Sequence, residues 1–326
     1  MPHHFRHWPK ASLHLHLEGS VEPATLREID PSITADEISA RYDYADFPGF
    51  LKAYVWVCKQ MRKPEHYGIA ARRLLETLEA QNVAYAEITL SAGVVLWKGD
   101  DFAPVYDAVQ TEAGRSRVDV RWIVDIVRQF PVEDARRVAE LAAERVGDGV
   151  VAIGLGGDEQ RGPAPKFAEL YRWARDRGLH LHAHAGETTG PQGVWEALEI
   201  GAERIGHGIG AVGDPALLEY LRSKQIPLEI CMTSNVRTGV VPSVGKHPVR
   251  TLYDAGVPLV FDTDDPALFD CSLEGEFELA ERQFEFSEPE LQGIARNGFR
   301  FAFDRSVSAW SRSMDPFAPD VADISG

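Results

Sequence analysis

The chain has 326 residues, 44% of them hydrophobic and 26% charged, enough to bury a large core without covalent staples. Its 34 Lys and Arg against 50 Asp and Glu give a formal charge of −16, which repels nucleic acid and suits a small, roughly neutral substrate. No apolar run approaches the roughly 18 residues of a membrane helix, the N-terminus lacks a signal-peptide stretch, and Cys58, Cys231 and Cys271 are too far apart for a disulfide framework or a Cys-x-x-Cys zinc site; a cytoplasmic protein without a membrane partner is expected.

Strand-like runs recur in chain order at Ala11–Leu17, Val83–Leu90, Val118–Val127, Val150–Leu155, Leu179–His184, Arg204–His207, Ile226–Cys231 and Val257–Phe261. Each is short and apolar or β-branched, as buried parallel strands are. Amphipathic stretches at Glu65–Ala80, Val132–Arg145, Pro165–Arg177, Gly193–Ile200 and Pro215–Lys224 lie between them. The alternation predicts an α/β fold, a (β/α)8 TIM barrel, for which about 250 residues are usual. Two segments absorb the extra length: an aromatic-rich helical insertion after the first strand (residues 35–63), expected at the barrel mouth as a lid or as packing, and extra C-terminal helices over Pro289–Arg312, expected outside the barrel. No linker interrupts the chain, so residues 1–326 are expected to form one domain.

In such a barrel, functional residues stand at the C-terminal ends of strands. His14 and His16 close the first strand and, at a period of two, share one face. His180, His182 and His184 share a parity on the fifth. His184, nearest the strand end and followed by Ala185-Gly186-Glu187, is the expected ligand, with His180 and His182 structural. The sixth strand ends at His207 between glycines, and the eighth runs into Asp262-Thr263-Asp264-Asp265-Pro266. Adjacent carboxylates at a buried strand end need a cation to be tolerable. Three imidazoles and a carboxylate around one ion describe a catalytic zinc site, in which the metal makes hydroxide available near neutral pH. Other divalent ions would suit the same ligands. A hydrolytic mechanism follows, with Glu187 placed to give a proton to the group under attack.

The segment Pro9-Lys10-Ala11-Ser12-Leu13-His14-Leu15-His16-Leu17-Glu18-Gly19 resembles the opening motif of the adenosine deaminases, metal-dependent hydrolases of the amidohydrolase superfamily. His184-Ala185-Gly186-Glu187, Arg204-Ile205-Gly206-His207-Gly208, Thr233-Ser234-Asn235 and Thr263-Asp264-Asp265-Pro266 are similar to later blocks of that family, in the same order. The resemblance implies one zinc ion held by His14, His16, His184 and Asp264. It implies protonation of purine N1 by Glu187, and orientation and partial deprotonation of the attacking water by His207 with Asp264. It also implies substrate contacts by His16, by Asp265 at N7, by the Gly157 amide at N3, and by Glu18 near the ribose 5′ carbon. Three departures stand out. Glu18 occupies a position that is Asp in well-known members, Asp262 one that is often Asn, and the fourth strand has no lysine, which disfavours a bridged two-metal centre.

The reaction so implied converts a 6-aminopurine nucleoside, adenosine or 2′-deoxyadenosine, to the 6-oxopurine and ammonia. Residues Phe50–Glu65 and Ile88–Val94 are also similar to enzymes that deaminate 6-aminodeoxyfutalosine, an adenine nucleoside with a bulky aromatic acid on its 5′ side. That substrate is the near-equal alternative, with Lys59, Arg62 or Lys63 as candidate partners for its carboxylate. Free adenine ranks third. A cyclic-amide hydrolase or a non-catalytic metal-binding barrel would be the readings from another class.

Overall fold

Eight parallel strands follow one another round a barrel in strict chain order in the computed structural model of the protein, which describes residues 4–307. They are β1 (Lys10–His16), β2 (Val83–Leu90), β3 (Asp119–Val127), β4 (Val150–Gly156), β5 (His180–Ala185), β6 (Arg204–His207), β7 (Leu228–Ile230) and β8 (Leu259–Phe261). All eight lie within the runs read from the sequence or within a residue of them, because continuous apolar runs bounded by turns are what a doubly covered parallel strand requires. Helices cover the outside. Pro64–Ala80, Val132–Glu144 and Pro215–Lys224 match their amphipathic stretches, whereas Pro165 opens only a 3₁₀ turn (Ala164–Phe167) ahead of the helix Ala168–Arg175. The helix Phe102–Ala113 between β2 and β3, and Met232–Arg237 and Val249–Asp254 between β7 and β8, go unmarked by the sequence pattern. No helix among the described residues is long and apolar enough to cross a membrane.

The insertion after β1 is helical, with Ala35–Tyr42 and Phe47–Gln60 capped by Thr34 and Asp46. It lies at the mouth, where Phe50, Leu51 and Tyr54 face the central cavity. The C-terminal segment does more than pack outside. Helix Glu288–Arg300 lies against β1, where a Cβ on Gly298 would come 3.0 Å from the Ala11 carbonyl oxygen. The chain then turns under the barrel: Phe303 packs on Ile123 and Ala152, and its ring stacks on His180 at 4.7 Å. The N-terminal end of the barrel is therefore plugged. Residues 308–312 of the expected C-terminal helical segment lie outside the described residues.

β8 is three residues long and forms no regular ladder with β1. The seam is closed instead at one backbone bridge and one side chain. His16 N–H donates to the Asp264 carbonyl (2.8 Å), and Asp264 N–H donates to the His14 carbonyl (3.0 Å). Below them the fully buried Asp262 carboxylate accepts from Leu13 N–H (2.5 Å), His14 N–H (2.9 Å), Thr263 N–H (2.9 Å) and the Ser12 hydroxyl (2.8 Å). Burial pushes Asp262 up to about 6 against these bonds. Asp262→Ala is expected to cost about 2–4 kcal/mol, since buried N–H groups would lose their acceptor. Urea unfolding measures this, and a loss below about 0.5 kcal/mol would show that the seam holds without the carboxylate.

Candidate active site

The period-2 face of β1 and the ends of β5, β6 and β8 bring the expected residues to one point at the C-terminal end of the barrel. His14 Nε2 and His16 Nε2 lie 3.2 and 3.3 Å from Asp264 Oδ1, and His16 Nε2 lies 3.2 Å from His184 Nε2. One ligand atom from each of these four buried residues falls within 4.8 Å of the others. The convergence of imidazole nitrogens, two of them 3.2 Å apart, with a carboxylate oxygen is a donor set that a divalent cation satisfies. Asp264 is further fixed by the Ser234 hydroxyl at 2.7 Å. His207 and Asp264 reach the centre with φ of +60° and +64°, left-handed backbone that side chains other than glycine adopt at a cost of about 1–2 kcal/mol.

A second layer holds these side chains, and sequence reasoning missed it. Glu229, fully buried on β7, accepts from His14 Nδ1 (2.8 Å), His182 Nε2 (2.7 Å) and Arg204 Nε (2.6 Å). Burial alone would raise its pKa, but His182, Arg204 and His14 hold it well below the usual carboxylate range. Arg204 also pairs with Glu87 at 2.6 Å, and its guanidinium lies 3.7 Å from the Phe303 ring centroid of the plug. The signal lay in the strands themselves, where Glu87 and Glu229 interrupt otherwise apolar runs. His182 is thus a structural partner of Glu229, and His180 bonds Glu203 at 3.0 Å.

Glu159, just past β4, is the second missed group. Its carboxylate accepts from the backbone N–H of Gly186 (2.8 Å), Glu187 (2.9 Å) and Thr188 (2.8 Å) and from the Thr189 hydroxyl (2.6 Å). It grips the turn that carries Glu187. Burial raises the Glu187 carboxyl well above its ordinary value, and Asp264 and Glu159 push the same way, which favours its protonated form. Asp265 is raised likewise, by burial and then by Asp264.

The third missed device fixes the protonation of His207. Val249 N–H, which can only donate, bonds His247 Nδ1 at 3.2 Å. Neutral His247 therefore carries its hydrogen on Nε2 and gives it to Asn235 Oδ1 at 3.0 Å. Asn235 Nδ2 then faces His207 Nδ1 at 3.1 Å and must donate to it. Burial lowers His247 to about 3 and His207 to about 4, so both rings are neutral near pH 7. His207 thus presents Nε2–H to the site, 3.8 Å from Asp264 Oδ2 and 3.9 Å from Glu187 Oε2.

These groups line a cavity of about 240 Å³. His16, His184, Glu187, His207, Asp264, Asp265 and the Gly157 backbone (φ +95°) all border it. Glu18 does not. It is buried behind the wall, accepting from Ser91 N–H (3.1 Å) and the Tyr54 hydroxyl (3.2 Å), whose own residues do face the cavity. The outer half of the cavity is apolar, walled by Phe47, Phe50, Leu51, Val94, Trp97 and Phe130, and no Lys or Arg is part of its lining among the described residues. Lys59 stands at the rim, its ammonium 5.5 Å from the centroid of the half-exposed Trp97 ring.

The profile of the adenosine deaminase family matches residues 9–308. The chain belongs to the adenosine deaminase family. It is accordingly a hydrolytic enzyme of the adenosine deaminase family, acting on adenine-type substrates. It is 36% identical over 310 residues to the aminodeoxyfutalosine deaminase of Streptomyces coelicolor, covering 90% of this chain and 80% of that one. It is 34% identical to the adenine deaminase of Rhizobium leguminosarum bv. trifolii, covering 91% and 95%. Among solved structures, a zinc-bound amidohydrolase from Burkholderia ambifaria superposes with a TM-score of 0.87 at 26% identity, covering 96% of this chain and 91% of that one.

Two predictions test the second layer. Glu229→Gln is expected to weaken divalent-metal affinity about 10- to 100-fold by releasing His14; competition with a chelator measures it, and unchanged affinity would remove Glu229 from that role. Asn235→Asp, which has only acceptors when ionised, is expected to move the His207 hydrogen to Nδ1. Nitrogen-15 NMR of the imidazoles reads the tautomer, and an unchanged His207 signal would contradict the relay.

Proposed function

We propose that this deaminase removes the 6-amino group of an adenine nucleoside whose 5′ carbon bears an apolar, aromatic-containing substituent, as in 6-aminodeoxyfutalosine. The observation that carries this reading is the apolar wall of Phe47, Phe50, Leu51, Trp97 and Phe130 running outward from the histidine cluster. Adenosine would leave that wall wet, and water against such a wall is worth displacing at about 25 cal/mol per Å² of apolar area covered. Two further features support it. Glu18 is not part of the cavity lining and its two oxygens already accept from Ser91 and Tyr54, so it is poorly placed to accept from a free 5′-hydroxyl. Among the described residues the lining has no Lys or Arg to pair with a 5′-phosphate. Lys59 at the rim suits a carboxylate at the far end of the substituent. The Streptomyces relative's name points the same way.

His14, His16, His184 and Asp264 would hold a single divalent ion, zinc by ligand type, which supplies hydroxide near neutral pH. The chain's own groups divide the remaining work. Protonated Glu187 donates to purine N1, drawing electrons from C6. Protonated Asp265 donates to N7, and the Gly157 amide to N3. His207 positions the attacking oxygen by donating from Nε2, so the proton of that water passes to Asp264 rather than to the imidazole. Water in and ammonia out leave the 6-oxopurine.

A panel of adenine, adenosine and a 5′-aryl-extended adenine nucleoside, followed by the absorbance change on deamination, should give the highest kcat/KM for the extended nucleoside. Higher kcat/KM on adenosine or adenine would overturn the choice. Glu187→Gln should keep its metal and lose turnover by about 10²–10⁴. Near-normal turnover in that variant would remove the N1 proton from Glu187.

A further inference from the structure

β3 carries a carboxylate that neither the barrel nor the chemistry above uses. Asp125 is only 4% exposed and makes no side-chain hydrogen bond recorded in the structure, and its Oδ1 is buried without a partner. The residue nonetheless borders the active-site cavity beside His16, His184 and Gly157. β4 is cleared for it. A Cβ on Gly154, its register partner, would lie 2.6 Å from Asp125 Oδ1, and one on Gly156 would lie 2.6 Å from Oδ2. Any side chain at either glycine would evict the carboxylate. Glycine in a strand interior is unfavourable, so the cradle costs stability and the carboxylate it holds costs more.

The protein offers nothing in return. Burial pushes Asp125 up to about 7, and the nearby charges of His16 and Arg128 only moderate this. Arg128 itself is turned elsewhere, its Nη2 donating to the carbonyls of Leu155 (3.0 Å) and His184 (2.6 Å). A buried polar group with no internal partner is expensive, and at a cavity wall the missing partner is a ligand.

The chemistry of that ligand follows from what a carboxylate can accept. Ring nitrogens N1, N3 and N7 of an adenine nucleoside are acceptors, and its 6-amino group belongs at the metal end. The donors left over are the sugar hydroxyls. Along β3 the cavity-facing residues run from Asp125 outward to Val127, and Phe130 beyond them belongs to the apolar wall. Asp125 therefore stands between the histidine cluster and the surface proposed for the 5′ substituent, where a sugar must lie if both ends are placed as above. We propose that Asp125 binds the sugar hydroxyls of the substrate and so selects a nucleoside over the free base. This rests on the nucleoside reading of the site.

The test uses the full-length, metal-loaded enzyme. With the preferred nucleoside, Asp125→Asn, close to isosteric in its glycine cradle, and Asp125→Ala are expected to raise KM about 10- to 100-fold with a smaller change in kcat, the usual weight of hydrogen bonds to a charged group. The 2′-deoxy and 3′-deoxy forms of that nucleoside supply an arm that needs no variant. At least one should show the same KM increase with the native enzyme and no further increase with Asp125→Asn. Metal content and inhibition by free purine base should be unchanged in the variants. If Asp125→Asn instead loses metal, or loses kcat equally on the hydroxylated and deoxy substrates, the carboxylate acts at the metal end and the proposal is overturned. If the native enzyme turns over no nucleoside, the functional reading falls first. If it turns over nucleosides but ignores their hydroxyls, only the role of Asp125 falls.

Discussion

A parallel barrel must close, and here the last strand is too short to do it with backbone alone. The closing contacts are the backbone exchange between His14, His16 and Asp264 and the Asp262 carboxylate beneath it. Three of the four candidate metal ligands are thus residues of the seam. Their spacing is set by the same hydrogen bonds that complete the sheet, so the site is positioned by the fold's last step rather than added to a finished scaffold. A cation drawing together His14, His16 and Asp264 would in turn pull β1 and β8 toward each other. Metal binding and barrel closure are linked through one set of atoms.

Four buried carboxylates near this point are driven to different protonation states by their neighbours alone. Glu229 meets Arg204 and two imidazoles and is held low, whereas Glu187 and Asp265 sit in low-dielectric positions beside other carboxylates and are raised toward the neutral form. Asp264, bonded to His14 and His16, is held low despite its burial. The same functional group is thereby suited to the separate parts of anchor, acid, donor and ligand that the proposed function assigns to it. The separation arises because desolvation favours the neutral form and adjacent opposite charge favours the ionised one. Neutrality of His207 follows from the same burial, and its tautomer from a chain of three hydrogen bonds that begins at a backbone amide.

The strand-end residues were legible in the sequence because two local rules place them: alternation along a strand and the concentration of chemistry at strand ends. His14, His16, His184, His207 and Asp264 need no knowledge of distant partners to be suspected. Glu229 and Glu159 are different. Their meaning lies in groups 215 residues away for His14 and 28 residues away for Glu187, and no local pattern connects them. His247 was invisible for the same reason, reaching His207 only through Asn235. Glu18 shows the converse limit. Its place in the motif implies a contact near the ribose 5′ carbon, while its oxygens accept from Ser91 and Tyr54, partners that no local pattern announces. The C-terminal plug is legible only as outer packing, because nothing in the pattern of Phe299–Phe303 distinguishes a helix end from a stopper.

The apolar wall has an uneven origin. Half of its six side chains come from one helix, Phe47–Gln60, inserted between strands and capped at its own N-terminus by Asp46, while the candidate metal ligands and Glu187 all belong to the barrel. On the proposed function, the barrel carries the chemistry and this helix carries much of the surface that meets the 5′ substituent. Such a division lets mutation retune which 5′ groups are admitted without disturbing a single ligand. Substitutions confined to this helix would leave the barrel beneath it to perform the same deamination on a different guest.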